Sequence, residues 1–473
     1  MYEKYFVLPR QQIPNTLQNS KNMIANTTGH WKTEEQAELF LGQVLQKAYK
    51  ECPEAHAFAR QLQHEIAVRL RDIIDHITFN HRDDIPDLIE HGWRDEANQG
   101  IYRNASGLFP AFVYEEGPRK VAFKVEFVDD FLKANKLQRT VVGQAGSQLR
   151  MAKIFEGETT FWAVERHGTA SFSIDPPSAE IIQQAAHYQH LFRTRQRKYR
   201  DTIEGLEETE KLVTASVEAI GADWSCDLFL RAEREYWMAR NQAGRIQKAR
   251  QDAFGIGWAN QDHHTFDSSR QYFYLTIRIL EKLGFECREL FYAGAGAGWG
   301  SQILEQPVLQ SVIFADIDLA PEELDIDFAH NEHIQPLYPL RRAGLWCAMH
   351  GESILEAGLN HLECMYDSKR FNEIFAALNI PMMAPFSDFP HLYQALTVGE
   401  WWPVDPEKID RLALEGHISA EAAEDFRKNG AIGSHFENLE RNDGFKGFNQ
   451  PGIDDVLRVI DPRKQLLSTK PIT

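Results

Sequence analysis

The strongest constraint on the fold is a pattern that occurs twice. In the first occurrence, Asp262–Phe266 reads as a strand, with Ser268 placed as an N-cap. Tyr272, Leu275, Ile279 and Leu283 then make an apolar stripe at helical spacing, and Gly284 ends the helix. Strand patterns follow at 286–292, 300–306 and 311–317. In the second, a strand carries His361, Asp367 is the N-cap, and Phe371, Ile374, Phe375 and Leu378 form the stripe. Asn379 sits where the helix should stop, before strand-like IPMMAP, and 433–445 is a closing strand. The spacing predicts two β-α-β-β-β modules, one from about 255 and one from about 355, with an insertion at 400–430 that has its own helix over 420–429.

The rest of the chain is read around that pair. Residues 1–177 are expected to be an N-terminal α+β region of unassigned role, helical at 33–79 and rich in short strands over 100–175. Residues 178–252 are charged and helical; their RTRQRKYR and EGLEETEK runs read as solvated faces. The first module then occupies 253–345 and the second 346–473, with a C-terminal cap from Gln450. The fold class is α+β, paired modules enclosing a metal site behind a helical and small α+β N-terminal region.

Net charge of −18 argues against nucleic acid or an anionic membrane as a partner. No apolar run is long enough to span a bilayer. The five cysteines are scattered, with no CxxC pair, which points to a reducing compartment; the expected location is cytoplasmic. The oligomeric state is left open, a homodimer being one admissible assembly.

Two such modules side by side would bring a His from each first strand together with a carboxylate from the last strand. Two imidazoles and one carboxylate are the ligand set of non-haem Fe(II) oxygenases, with open positions for substrate or O2. His263, His361 and Glu437 are the expected ligands of Fe(II), with Zn, Mn or Ni as alternatives. Several other signals are set aside. The run Gly294, Gly296, Gly298, Gly300 does not fit a nucleotide loop. Ser268-Ser269 lacks a nucleophile elbow. His350 and Glu352 read as structural, and Glu305 is a spare carboxylate.

The two-module pattern resembles the vicinal oxygen chelate superfamily, whose first strand reads Asp-His, as Asp262-His263 does; this favours His263 over His264. More narrowly, it is similar to the 2-oxoadipate dioxygenase/decarboxylase (hydroxyglutarate synthase) family, through Asn360-His361-Leu362 and Glu437-Asn438-Leu439-Glu440-Arg441. Glu440 is the register alternative to Glu437, and Arg166-His167-Gly168 resembles a variant first-strand motif. In that family an Arg four residues after the first His holds the substrate carboxylate. Here that place is Asp267, and Arg270 is the nearest Arg and the candidate catalytic residue. The resemblance implies an Fe(II)-dependent dioxygenase/decarboxylase using O2 and a small 2-oxo acid or related organic acid. The rivals are a glyoxalase-like isomerase or lyase without O2 chemistry, and a non-enzymatic binding protein.

Overall fold

The computed structural model describes residues 31–95 and 97–448; the expected C-terminal cap and the first thirty residues lie outside the described residues. The first sheet comprises β1 (Ile74–Phe79), β2 (Ile101–Tyr102), β3 (Ala111–Tyr114), β4 (Lys120–Lys124), β5 (Val141–Val142), β6 (Leu149–Phe155) and β7 (Thr160–Arg166). The second comprises β8 (Gln261–Asp267), β9 (Glu286–Tyr292), β10 (Trp299–Gln306), β11 (Ser311–Asp318), β12 (His361–Met365), β13 (Ser387–Phe389), β14 (Leu392–Leu396), β15 (Glu400–Trp402) and β16 (Ala431–Arg441).

The second sheet has the order β13-β14-β16-β12-β8-β11-β10-β9, with β15 on β16. Its centre is the antiparallel pair β8 and β12. Outward from that pair, each half runs first, fourth, third, second strand, with the first and fourth parallel. A parallel pair needs a crossover; helices Phe273–Lys282 and Ser368–Ala377 begin the two crossovers. The α+β fold of paired β-α-β-β-β modules is therefore present, in a vicinal oxygen chelate-like arrangement.

Local chemistry explains most of the boundaries. Gly284 has φ +85° and Asn379 φ +56°, the left-handed conformation that stops a helix. The Asp367 carboxylate accepts from the Arg370 N–H, the expected cap. Ser268 does not cap: its hydroxyl donates to Glu352 Oε2 at 2.8 Å, and the helix opens through a 3₁₀ turn at Arg270–Tyr272. The expected IPMMAP strand is reduced to one bridge, Met382 with Thr397, because Pro381 and Pro385 lack the N–H groups a ladder needs. The next strands, β13 and β14, form farther along.

The N-terminal region departs furthest from expectation. Its sheet order is β2-β3-β1-β4-β7-β6-β5. Here too an antiparallel central pair, β1 and β4, is flanked by parallel partners, β3 and β7. It is a second paired unit, with one half a strand short among the described residues. The first strands of the two units read Asp75-His76-Ile77-Thr78-Phe79 and Asp262-His263-His264-Thr265-Phe266.

Four helices over 179–253 pack with the two units. Ala222–Met238 buries Trp224, Phe229 and Trp237 in a core cluster shared with both sheets. The basic run preceding it is solvated at Arg193, Lys198 and Arg200, as expected, but not at Arg195 and Arg197. The side chains of Arg195 and Arg197 are buried on the fully buried Glu233, at 2.8 and 2.7 Å, since an interior carboxylate needs compensating cations. The insertion forms helices Pro406–Leu414 and Ala420–Asn429 around its own cluster, including Ile409, Leu412 and Phe426. No described helix is long and apolar enough to cross a membrane.

Phe436 lies where these parts meet, against Trp237, Trp258, Tyr366, Phe371 and Phe375. Phe436→Ala should therefore destabilise the fold by about 3–5 kcal/mol, read from denaturant unfolding midpoints. A change under about 1 kcal/mol would mean these rings do not form one core.

Candidate metal centre

Side chains alternate faces along a strand, so His263, Thr265 and Asp267 share one face of β8. The register places His361 opposite Thr265 and Glu363 opposite His263. On the other side of β12, Glu437 pairs with Glu363. The result brings the ligand atoms of His263, His361 and Glu437 within 4.8 Å of one another. His361 Nε2 lies 3.1 Å from Glu437 Oε2 and 2.8 Å from Thr265 Oγ1. The three expected ligands converge.

A buried surround fixes their state. His263 Nδ1 is 2.8 Å from Glu363 Oε1 and 3.2 Å from Asp262 Oδ2, and Arg441 in turn holds Asp262 at 3.2 Å. A carboxylate on one imidazole nitrogen orients the ring and leaves the other for an ion. Burial disfavours the charged His263 ring, but Glu363 and Asp262 outweigh it and raise its pKa to about 10. Burial, reinforced by the charge on His263, pushes His361 down to about 3, so that ring is neutral. Burial raises both Glu363 and Glu437; the two carboxylates also share the Gln394 side-chain N–H₂, at 3.1 Å each.

Asp262, Glu363 and Glu437 thus surround His263 with Arg441 as their only guanidinium ion pair among the described residues. This donor set fits a divalent cation, which His263, His361 and Glu437 would hold. The place on β11 equivalent to Glu437 is Phe314: it pairs with Thr265 as Glu437 pairs with Glu363. Its ring packs on His263, centroids 4.6 Å apart. One module would therefore supply one ligand and the other two. Phe448 covers His263 edge-on at 5.5 Å.

The first unit carries the same brace without the donor set. His76 Nδ1 is 2.7 Å from Asp75 Oδ2, Arg166 holds Asp75 at 2.8 Å, and Phe172 covers the His76 ring at 4.9 Å. In place of His361 stands Lys120, whose N–H donates to Thr78 Oγ1, and in place of Glu437 stands Trp162, paired with Ala122. A lysine and an indole cannot complete a metal site.

Other sequence candidates fall elsewhere. Arg270 is removed from the site as a substrate anchor: its guanidinium is fixed to Glu323, the Asp318 carbonyl and the Gln335 carbonyl. The guanidinium that does reach this face is that of Arg342, on Asp267 at 2.6 Å and Asp316 at 2.7 Å. His264 points to the opposite face of β8, next to Arg234. Glu440 is bound to Arg69 and the Ser368 N–H, which removes it as a ligand. Glu305 pairs with Lys446 and Arg288, and His167 with Glu165 and Asp227. The glycine run forms a tight turn between β9 and β10, with Gly300 already in β10. Sequence reasoning missed Glu363, although it stands two residues after His361 and so on the same face, and Gln394, which carried no signal.

No protein-family model matches this chain, and no curated protein matches its sequence. Among solved structures, a 4-hydroxymandelate synthase variant from Streptomyces coelicolor is similar at 11% identity and TM-score 0.30, covering 72% of this chain and 96% of that one. A protein described as a hydrolase from Shewanella frigidimarina is similar at 13% identity and TM-score 0.28 (44% and 92%). Methylmalonyl-CoA epimerase from Mycobacterium tuberculosis is similar at 11% identity and TM-score 0.22 (39% and 88%). Likenesses this distant carry no functional assignment.

His350 is structural, as expected. Its Nε2 lies 3.1 Å from the Ile432 carbonyl, and burial pushes its pKa down to about 3. A histidine held neutral in the fold contributes stability above its unfolded pKa of about 6.5, and that contribution is lost as pH falls towards 3. His350→Gln should therefore flatten the decline of Tm between about pH 7 and pH 4. An unchanged slope would mean this ring takes up no proton on unfolding.

Proposed function

We propose that this chain is a metal-dependent enzyme whose second paired unit binds one divalent ion through His263, His361 and Glu437. We further propose that Fe(II) is the resident ion and that the reaction is O2-dependent oxidation, with decarboxylation, of a small 2-oxo acid. The observation that carries the reading is the convergence of two imidazoles and one carboxylate within 4.8 Å. Supporting it, Glu363 and Asp262 fix the His263 ring from behind. When bound, such an ion acts as a Lewis acid and brings substrate and O2 to one centre.

The protein's own groups do the rest. Glu363 and Asp262 hold His263 in the orientation that frees Nε2. Gln394 donates to both Glu363 and Glu437 and keeps their oxygens in place. Phe314 and Phe448 shield the His263 ring from water. The guanidiniums of Arg270, Arg288, Arg342 and Arg441 are each bound to carboxylates. No free arginine fork among these four awaits a second substrate carboxylate, which favours a monocarboxylate over a dicarboxylate.

One observation supports a second reading, the glyoxalase-like isomerase or lyase. Glu363 is a buried carboxylate beside the triad with a raised affinity for protons, which suits metal-assisted proton transfer without O2.

Elemental analysis of full-length protein purified without chelator tests both readings. About one iron per chain is expected, lost in His263→Ala, His361→Ala and Glu437→Gln and kept in Glu440→Gln. O2 uptake with 2-oxo monocarboxylates should then follow the iron. Zinc or nickel with no O2 uptake would select the isomerase reading. Absence of any metal after reconstitution would overturn both.

A further inference from the structure

On the face of β8 opposite the metal site, the helix Ala222–Met238 and the first sheet border a cleft. Its larger lobe is about 610 Å3 and a smaller lobe is about 130 Å3; Glu126, Arg231, Arg234 and Trp258 line both. Arg234 is 4% exposed, and its Nη1 reaches only the ring of His264, at 3.3 Å. Its Nε has no hydrogen-bond partner, and among the described residues no carboxylate pairs with it. The Trp258 indole N–H, also buried, has no partner either. Lys124 lines the smaller lobe and forms no ion pair among the described residues.

Of the carboxylates that line the cleft, Glu126, Asp227, Glu235, Asp252 and Asp262 are engaged by cations; the exposed Asp130 of the larger lobe forms no ion pair among the described residues. Glu126 lies 3.2 Å from Lys248 Nζ and accepts from the Trp258 backbone N–H. Asp227 is held by Arg231 and His167. An unmatched buried guanidinium is costly unless an anion accompanies it, and a guanidinium presents a fork suited to carboxylate or phosphate. We propose that this cleft is a binding site for a small organic anion, a carboxylate or a phosphate monoester, held by Arg234 and Lys124 with the Trp258 indole N–H as a third donor. The strand β8 separates it from the metal ligands. Asp262, which braces His263, lines its smaller lobe.

Isothermal titration of the full-length protein with inorganic phosphate and with succinate, at constant ionic strength, tests the assignment. Saturable binding of at least one probe is expected, and the probe that binds identifies the anion type. Arg234→Gln should weaken it about tenfold or more, Lys124→Met should weaken it measurably, and His361→Ala should leave it unchanged. If Arg234→Gln does not fold, Lys124→Met and Trp258→Phe carry the test. Lack of saturable binding, equal affinity in the cleft variants, or binding lost in His361→Ala would overturn the proposal. Metal content of the same preparations reports on the metal centre separately, so the two readings fail independently.

Discussion

The pairing of β8 with β12 sets the position of every group at the candidate metal centre. Because strand side chains alternate, a slip of one residue would turn His361 and Glu363 to the other face and leave His263 alone. The register is fixed at both ends of the pair. Asn260 donates its side-chain N–H to the Met365 carbonyl at 2.7 Å and its backbone carbonyl accepts from the Met365 N–H at 2.8 Å. At the other end the Asn360 N–H donates to the Thr265 carbonyl, and its side chain donates to Asp267 at 2.7 Å. Two asparagines thus hold the strands in the one alignment that collects the donors.

The charges around this pair are arranged on the same logic. Buried ion pairs are weak sources of stability but strong markers of position. Arg441 reaches from β16 to Asp262, and Arg342 reaches from its helix to Asp267 and Asp316 on two strands. Each arginine binds carboxylates on elements distant in sequence. What these arginines leave unmatched, around His263, is carboxylate. The unmatched group in the rear cleft is a guanidinium. The two faces of β8 therefore present opposite electrostatic demands within a few residues, one for a cation and one for an anion.

How much of this the sequence revealed depended on whether the signal was local. The helix stops at Gly284 and Asn379, the cap at Asp367 and the long β16 were legible because each is set by a few adjacent residues. His263 and His361 were legible through the repeat, and Glu437 as a carboxylate on the closing strand. The destination of a long side chain was not: Arg270 and Arg342 are both arginines near the module, and only tertiary packing decides that one braces a loop while the other reaches the central strands. The same holds for Arg195 and Arg197, whose partner Glu233 lies on another helix farther along the chain. The first unit was hidden because β2 and β5 are two residues long, too short to show alternation. Its first strand, Ile74–Phe79, falls inside the stretch whose pattern reads as helical over 33–79, although Asp75–Phe79 matches Asp262–Phe266 at four of the five aligned positions.

That internal copy separates scaffold from chemistry. Both units have the Asp-His pair, the arginine that holds the Asp, the threonine two residues on and the aromatic ring over the His. Since His76 has all of these and no partners to complete a ligand set, the brace cannot by itself imply a metal. It is better understood as the way this architecture ties its last strand to its first: an arginine on β7 or β16 meets the aspartate at the second position of β1 or β8. The case for a metal in the second unit therefore rests on what differs between the copies, namely His361 for Lys120, Glu363 for Ala122 and Glu437 for Trp162. Those three positions lie on adjacent strands and one face. They replace a lysine, a methyl group and an indole with an imidazole and two carboxylates, which is the change that would convert a packed interior into a cation site.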